Sequence, residues 1–200
     1  MTQTSRRSAL RLSGRDLLSR WVPVLPVLIP ALLVPLLIGA VWRAQAPASF
    51  SAHREALLIV FLAYIVVVRF ALLDLILFYI SRRHRPVHLD LLHIVFLYLE
   101  VSAVTVLYFA LMFQLFGVFV LFRYNGALPS SEVATMAAHP LALALYISVE
   151  LFTTLGLGDW VPQTLNAMRA GGVEALLGFV QGGVFVAVLI YGHQTMKDEA

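Results

Sequence analysis

The chain has 200 residues, of which 60% are hydrophobic and only 12% charged, with a mean hydropathy of +0.88; a soluble domain of this length could not enclose so much apolar surface in one core, and a disordered chain is excluded as well. The net charge of +3 comes from thirteen Arg and one Lys placed in short clusters between apolar runs, which is how topology signals are distributed and supplies no basic face for nucleic acid. Cysteine is absent, which excludes disulfides, thiolate metal sites and cysteine nucleophiles.

Residues 1–20 carry Arg6, Arg7, Arg11, Arg15 and Arg20 against one acid, Asp16, with Leu10, Leu12, Leu17 and Leu18 interleaved. This pattern predicts a basic cytoplasmic arm lying partly at the membrane interface. The alternative is a signal peptide cleaved after Ala44-Gln45-Ala46, but the apolar stretch Trp21 to Trp42 is longer than the roughly 7 to 15 residues of a signal-peptide core. A first transmembrane helix is the better account, irregular at Pro23, Pro26, Pro30 and Pro35. A second span is predicted from Ala56 to Ile80, interrupted by Arg69 and Asp74. The basic loop Ser81-Arg82-Arg83-His84-Arg85-Pro86 follows, and Pro86 ends the preceding helix. A third span is predicted from Leu92 to Phe122 and a last one from Gly172 to Tyr191. The arginine counts of the intervening segments place the amino terminus, the loop over 81–91 and the carboxyl terminus on the cytoplasmic side of the cell membrane.

Pro140 to Thr153 fits neither a span nor a loop. It is apolar, opens with Pro at a favourable first helical position, and as a helix reaches only roughly 20 Å. Such a segment enters a membrane without crossing it, so a re-entrant half-helix is expected, followed by backbone that lines a watery cavity or is buried in protein.

At its end stands Thr153-Thr154-Leu155-Gly156-Leu157-Gly158-Asp159, with Pro162 three residues on. Here the sequence resembles the potassium-channel pore family, whose filter reads T-T-V-G-Y-G-D followed three residues later by Pro. Glu174, Ala175 and Gly178 fall where many bacterial members carry E-A-x-x-G, and Tyr146-Ile147-Ser148 stands where they carry an aromatic-x-Ser run. The resemblance covers about residues 94 to 192. It implies ion sites made by the carbonyls of Thr154, Leu155, Gly156 and Leu157 with the Thr154 hydroxyl, on a strand that ends at Gly158, with K+ as the permeant ion. It also implies four chains around one axis, because each chain has one filter strand, and support of that strand by Thr153, Glu150, Asp159 and Ile147. Gly178 is a candidate gating hinge. The family usually has Tyr where this chain has Leu157, so an apolar cuff of Leu157 against Ile147 is expected in place of a hydrogen-bonded one. Independently of the resemblance, a filter that replaces an ion's hydration shell with carbonyl oxygens needs alternating backbone conformations, which glycine adopts cheaply, and a half-helix whose negative end faces the membrane centre favours a cation.

Other ionisable residues have simpler readings. An Arg69–Glu100 ion pair within the bilayer is expected, whereas a voltage sensor needs a row of arginines that this span lacks. His84, His88, His93 and Asp90 are too few, and too interrupted by Pro86, for a membrane di-iron centre; the arginines beside them suit anionic headgroups. Glu150 and Asp159, nine residues apart on either side of the reversal, are expected to share a proton.

The sequence therefore predicts an all-α membrane protein of four transmembrane helices, with a re-entrant pore helix and filter between the third and fourth. Its organisation is a basic arm (1–20), two accessory helices and a basic loop (21–91), a pore domain (92–192) and a short cytoplasmic tail (193–200). The expected function is a homotetrameric, passively conducting potassium channel in contact with membrane lipid. No enzymatic activity, cofactor, nucleic acid or small-molecule substrate is expected. The rivals are a poorly selective monovalent cation channel and, from another class, a membrane oxidase or a non-conducting assembly protein.

Overall fold

A computed structural model describes residues 25–82, 91–126 and 129–198. The arm over 1–20 and most of the basic loop, with His84, His88 and Asp90, lie outside the described residues. Helix dominates. Four helices are long and apolar enough to cross a membrane: α1 (Leu25–Gln45), α3 (Arg54–Arg82), α4 (Leu91–Phe116) and α8 (Leu165–Asp198). Four such helices mark a multi-pass membrane protein. Shorter elements join them: α2 (Pro47–Ala52), α5 (Val118–Leu121), β1 (Phe122–Tyr124), α6 (Ser130–Ala138), α7 (Pro140–Phe152) and β2 (Trp160–Pro162).

Helix α1 runs unbroken through Pro30 and Pro35. A proline has no N–H to give the carbonyl four residues earlier, so Pro35 leaves the Ala31 carbonyl without its helical donor. The Tyr64 hydroxyl of α3 donates to that carbonyl. A neighbouring helix thus offsets the irregularity that the prolines introduce.

The third span is shorter than predicted. Helix α4 stops at Phe116 because Gly117 turns to a φ of +89° and a ψ of 107°, outside the helical region and cheap only for glycine. Its amide still donates to the Gln114 carbonyl at 3.2 Å. The chain then makes the single turn of α5 and enters β1, which pairs antiparallel with β2 in the register Phe122↔Pro162, Arg123↔Val161 and Tyr124↔Trp160. Three-residue strands carry no readable alternation, so this small ladder is absent from the sequence-based reading. The last helix starts earlier than predicted: the Thr164 hydroxyl accepts from the Ala167 amide at 3.1 Å, an N-cap that places the helix start before the apolar run.

Helix α4 is the centre of the molecule and packs against α1, α3, α7 and α8. Val101, Thr105, Tyr108, Phe109, Met112, Phe113 and Phe116 are all buried along it. Tyr108, fully buried, donates to the Phe61 carbonyl of α3 at 2.9 Å. Helix α7 lies between α4 and α8 and bends 91° from α6 at the intervening His139.

Candidate functional site

The site grows from α7. Its 13 residues start at Pro140 and end at Phe152, within one residue of the predicted half-helix. One face is buried through Leu143, Ala144, Ile147 and Ser148. Tyr146, Glu150 and Thr153, spaced three and four apart, share another face.

After Phe152 the chain reverses. The Thr154 amide donates to the Leu151 carbonyl at 3.1 Å, and the Leu155 amide to the Glu150 carbonyl at 3.2 Å. From there the loop runs back along α7. The Gly158 amide donates to Glu150 Oε1 at 3.0 Å, and the Tyr146 hydroxyl donates to Asp159 Oδ2 at 2.7 Å. Both supports come from residues one turn apart on α7. Asp159 Oδ1 also accepts from the Trp160 amide at 2.9 Å. The far end is tied to the residue that follows β1: Asn125 donates from its amide to the Asp159 carbonyl at 2.6 Å and from Nδ2 to the Gly158 carbonyl at 3.2 Å.

Along this loop, φ is positive at every second position: +56° at Thr154, +56° at Gly156 and +75° at Gly158. Leu155 and Leu157 between them are not left-handed. Alternation of hand turns successive carbonyls toward one side of the strand. Glycine adopts such angles cheaply, but a β-branched residue does not, so Thr154 is held in a strained conformation by the reversal around it. The Thr154 hydroxyl donates to the Thr153 carbonyl at 2.7 Å, and the Thr153 hydroxyl donates back into α7 to the Val149 carbonyl at 2.6 Å. All residues from Thr153 to Gly158 are exposed. A cavity of about 300 Å³ lies beneath them, lined by Tyr98, Phe152, Thr153, Thr154, Gly178 and Phe179.

Behind the loop, α7 is tied to two long helices through one side chain. The Ser148 hydroxyl donates to the Val106 carbonyl of α4 at 2.9 Å and is also hydrogen-bonded to Glu174 Oε1 of α8. Both residues are fully buried, and Glu174 Oε2 has no hydrogen-bond partner among the described residues. At Gly178 the backbone of α8 abuts the end of α7: a Cβ there would stand 2.0 Å from the Phe152 carbonyl oxygen.

Three expectations change in this geometry. Glu150 and Asp159 take separate donors, Gly158 N and Tyr146 Oη, so no hydrogen bond joins the two carboxyl groups among the described residues. Ile147 is buried while Leu157 is 65% exposed, so the apolar cuff does not form within one chain; Ile147 points into the core that α7 shares with α4. Arg69 donates to Gln181 Oε1 of α8 and not to Glu100. Gln181 Nε2 continues to Ser102 Oγ at 2.6 Å and the Tyr98 carbonyl at 3.1 Å, so an amide that both donates and accepts takes the place of the ion pair. The structural roles of Asn125, Tyr146 and Gln163, whose Nε2 donates to the Phe119 carbonyl at 2.7 Å, go beyond what the sequence predicts. Tyr146 was detectable from its position one helical turn before Glu150; the other two act through the β-ladder, which has no sequence signature.

No family model matches this sequence, and neither curated proteins nor solved structures are detectably similar to it.

Proposed function

We propose that the chain is one subunit of a homotetrameric cation channel of the inner membrane, conducting K+ passively through the loop over 154–158, with both termini cytoplasmic. In this reading α7 is the re-entrant pore helix, α4 and α8 are the outer and inner helices, and α1 and α3 are accessory. The observation that carries it is the left-handed backbone at Thr154, Gly156 and Gly158, an alternation suited to aiming successive carbonyl oxygens at one axis in place of an ion's hydration shell. Support also comes from the direction of α7, whose negative end meets the start of the loop and favours a dehydrated cation over an anion. The resemblance of Thr153 to Asp159 to the potassium-channel filter adds the identity of the ion. The loop's exposure in a single chain leaves its carbonyls free to face three further copies.

Leu157 favours a second reading, a poorly selective monovalent cation channel, because it has no group to donate a hydrogen bond that would brace the strand and is 65% exposed in one chain. Flux from liposomes containing the purified protein separates the readings. Potassium flux well above sodium flux is expected, together with its loss in Gly156→Ala, where a side chain would have to adopt a φ of +56°. Equal fluxes favour the second reading, and no flux from the unaltered protein overturns both.

A further inference from the structure

Where α1 ends and α3 begins, two guanidinium groups converge on the last turn of α4. Arg43 Nη1 donates to the carbonyls of Gln114 and Leu115, and Arg54 donates to the carbonyl of Phe116. These carbonyls form the negative end of the α4 dipole, equivalent to about half an elementary charge, which two full positive charges exceed. Neither arginine has a carboxylate among its hydrogen-bond partners in the described residues. Arg43 is exposed and Arg54 half-buried. Glu55, next to Arg54 in the first turn of α3, and the dipole end offset part of the two arginine charges, and a net positive charge remains at this end of the bundle.

A groove of about 430 Å³ between α1 and α4 leads away from Arg43. Leu33, Leu37 and Ala40 line it from α1, Leu111 and Leu115 line it from α4, and Gln114 stands beside Arg43 at its end. The α1 residues form one stripe at helical spacing that finishes at Arg43. From Leu33 to Arg43 this stripe is about 15 Å long, half the roughly 30 Å of a bilayer's hydrocarbon core. Both walls lie in stretches apolar enough to span a membrane, Leu28–Gln45 and Val95–Phe116, and the two arginines lie at or near the ends of such stretches. A groove one leaflet deep, apolar along its length and cationic at its mouth, matches an acyl chain joined to an anionic headgroup.

We infer that α1 and α4 form a binding site for an anionic phospholipid, its acyl chain in the groove and its phosphate on Arg43 and Arg54. The site depends on the chain lying in a membrane and is independent of ion conduction. Its lipid joins an accessory helix to the central helix α4, so it acts as a structural ligand of the bundle.

Native mass spectrometry of the delipidated full chain, titrated with dioleoyl phosphatidylglycerol or dioleoyl phosphatidylcholine, tests this. A preference for phosphatidylglycerol of about 30-fold is expected from two basic side chains at the headgroup. Arg43→Gln with Arg54→Gln should reduce that preference to near unity. Because these changes also remove caps from α4, Ala40→Trp is measured beside them; it fills the groove, keeps both arginines, and should weaken phosphatidylglycerol binding about tenfold or more. Equal binding of the two lipids by the unaltered protein overturns the inference. So does unchanged phosphatidylglycerol binding in Ala40→Trp. Displacement of phosphatidylglycerol by millimolar inorganic phosphate would also overturn it, since that marks an anion site with no acyl component.

Discussion

Three glycines of α8 look alike in the sequence and have different surroundings. Gly178 abuts the Phe152 carbonyl, whereas no atom of the described residues lies within 4 Å of where a Cβ would stand at Gly182 or Gly183. A hinge glycine serves bending; at Gly178 the lack of a side chain also lets two backbones touch, with α8 running through it as one continuous helix. Gly178→Ala should therefore destabilise the subunit by about 1–3 kcal/mol through overpacking, despite the gain of up to about 1 kcal/mol in helix propensity. Gly182→Ala should keep that gain. Apparent melting temperatures of the two variants in detergent test the difference: a lower value for Gly178→Ala and an equal or higher one for Gly182→Ala are expected. A Gly178→Ala variant as stable as the parent would show that this close approach does not require glycine.

At the scale of elements, the loop over 154–158 has no regular structure and depends on α7 and β1 for its shape. Glu150 holds its Gly158 amide, Tyr146 holds Asp159, and Asn125 holds the two carbonyls beside them. Removing one phenolic hydroxyl should loosen the outer end locally while leaving the helices in place, since a typical hydrogen bond is worth about 1 kcal/mol net. Tyr146→Phe should then speed amide hydrogen exchange at Asp159 and Trp160 by about fivefold without a change in helical circular dichroism. Unaltered exchange would show that Asn125 and the β-ladder hold the segment by themselves. The same ladder explains why the third span ends early: Gly117 releases the chain from α4 so that Phe122 to Tyr124 can reach Trp160 to Pro162.

At the scale of the whole molecule, large apolar side chains remain uncovered around the site. Phe179, which lines the cavity beneath the loop, is 75% exposed, and Leu155, Leu157 and Leu176 are each more than 60% exposed. Lipid can cover α8 from outside; in the proposed tetramer the loop, flanked by polar groups such as Thr154 and Asp159, would be covered by other copies of the chain. Chemical cross-linking in membranes should give a ladder ending at four subunits. Phe179→Ser should shift it toward monomer and dimer while each subunit keeps its helix content. A four-subunit limit that persists unchanged in Phe179→Ser would move the interface elsewhere, and a two-subunit limit in the parent would end the tetrameric reading.

Composition and hydropathy by themselves determined that this is a multi-pass membrane protein, because no single core of 200 residues can hide so much apolar surface. Periodicity, length and Pro140 were enough to delimit α7, whose boundaries are set locally. The motif from Thr153 to Asp159 was legible as a candidate site because glycine spacing reports backbone conformation directly. What only the tertiary structure decided are pairings between segments far apart in the chain: Arg69 with Gln181, Ser148 with Glu174, Asn125 with Gly158, and Gly178 against Phe152. A sequence states which groups must find partners in a low-dielectric interior, and several groups can satisfy the same need. The choice among them depends on helix rotation and depth, which are set by the packing of α4 against its neighbours and leave no local signal in the chain.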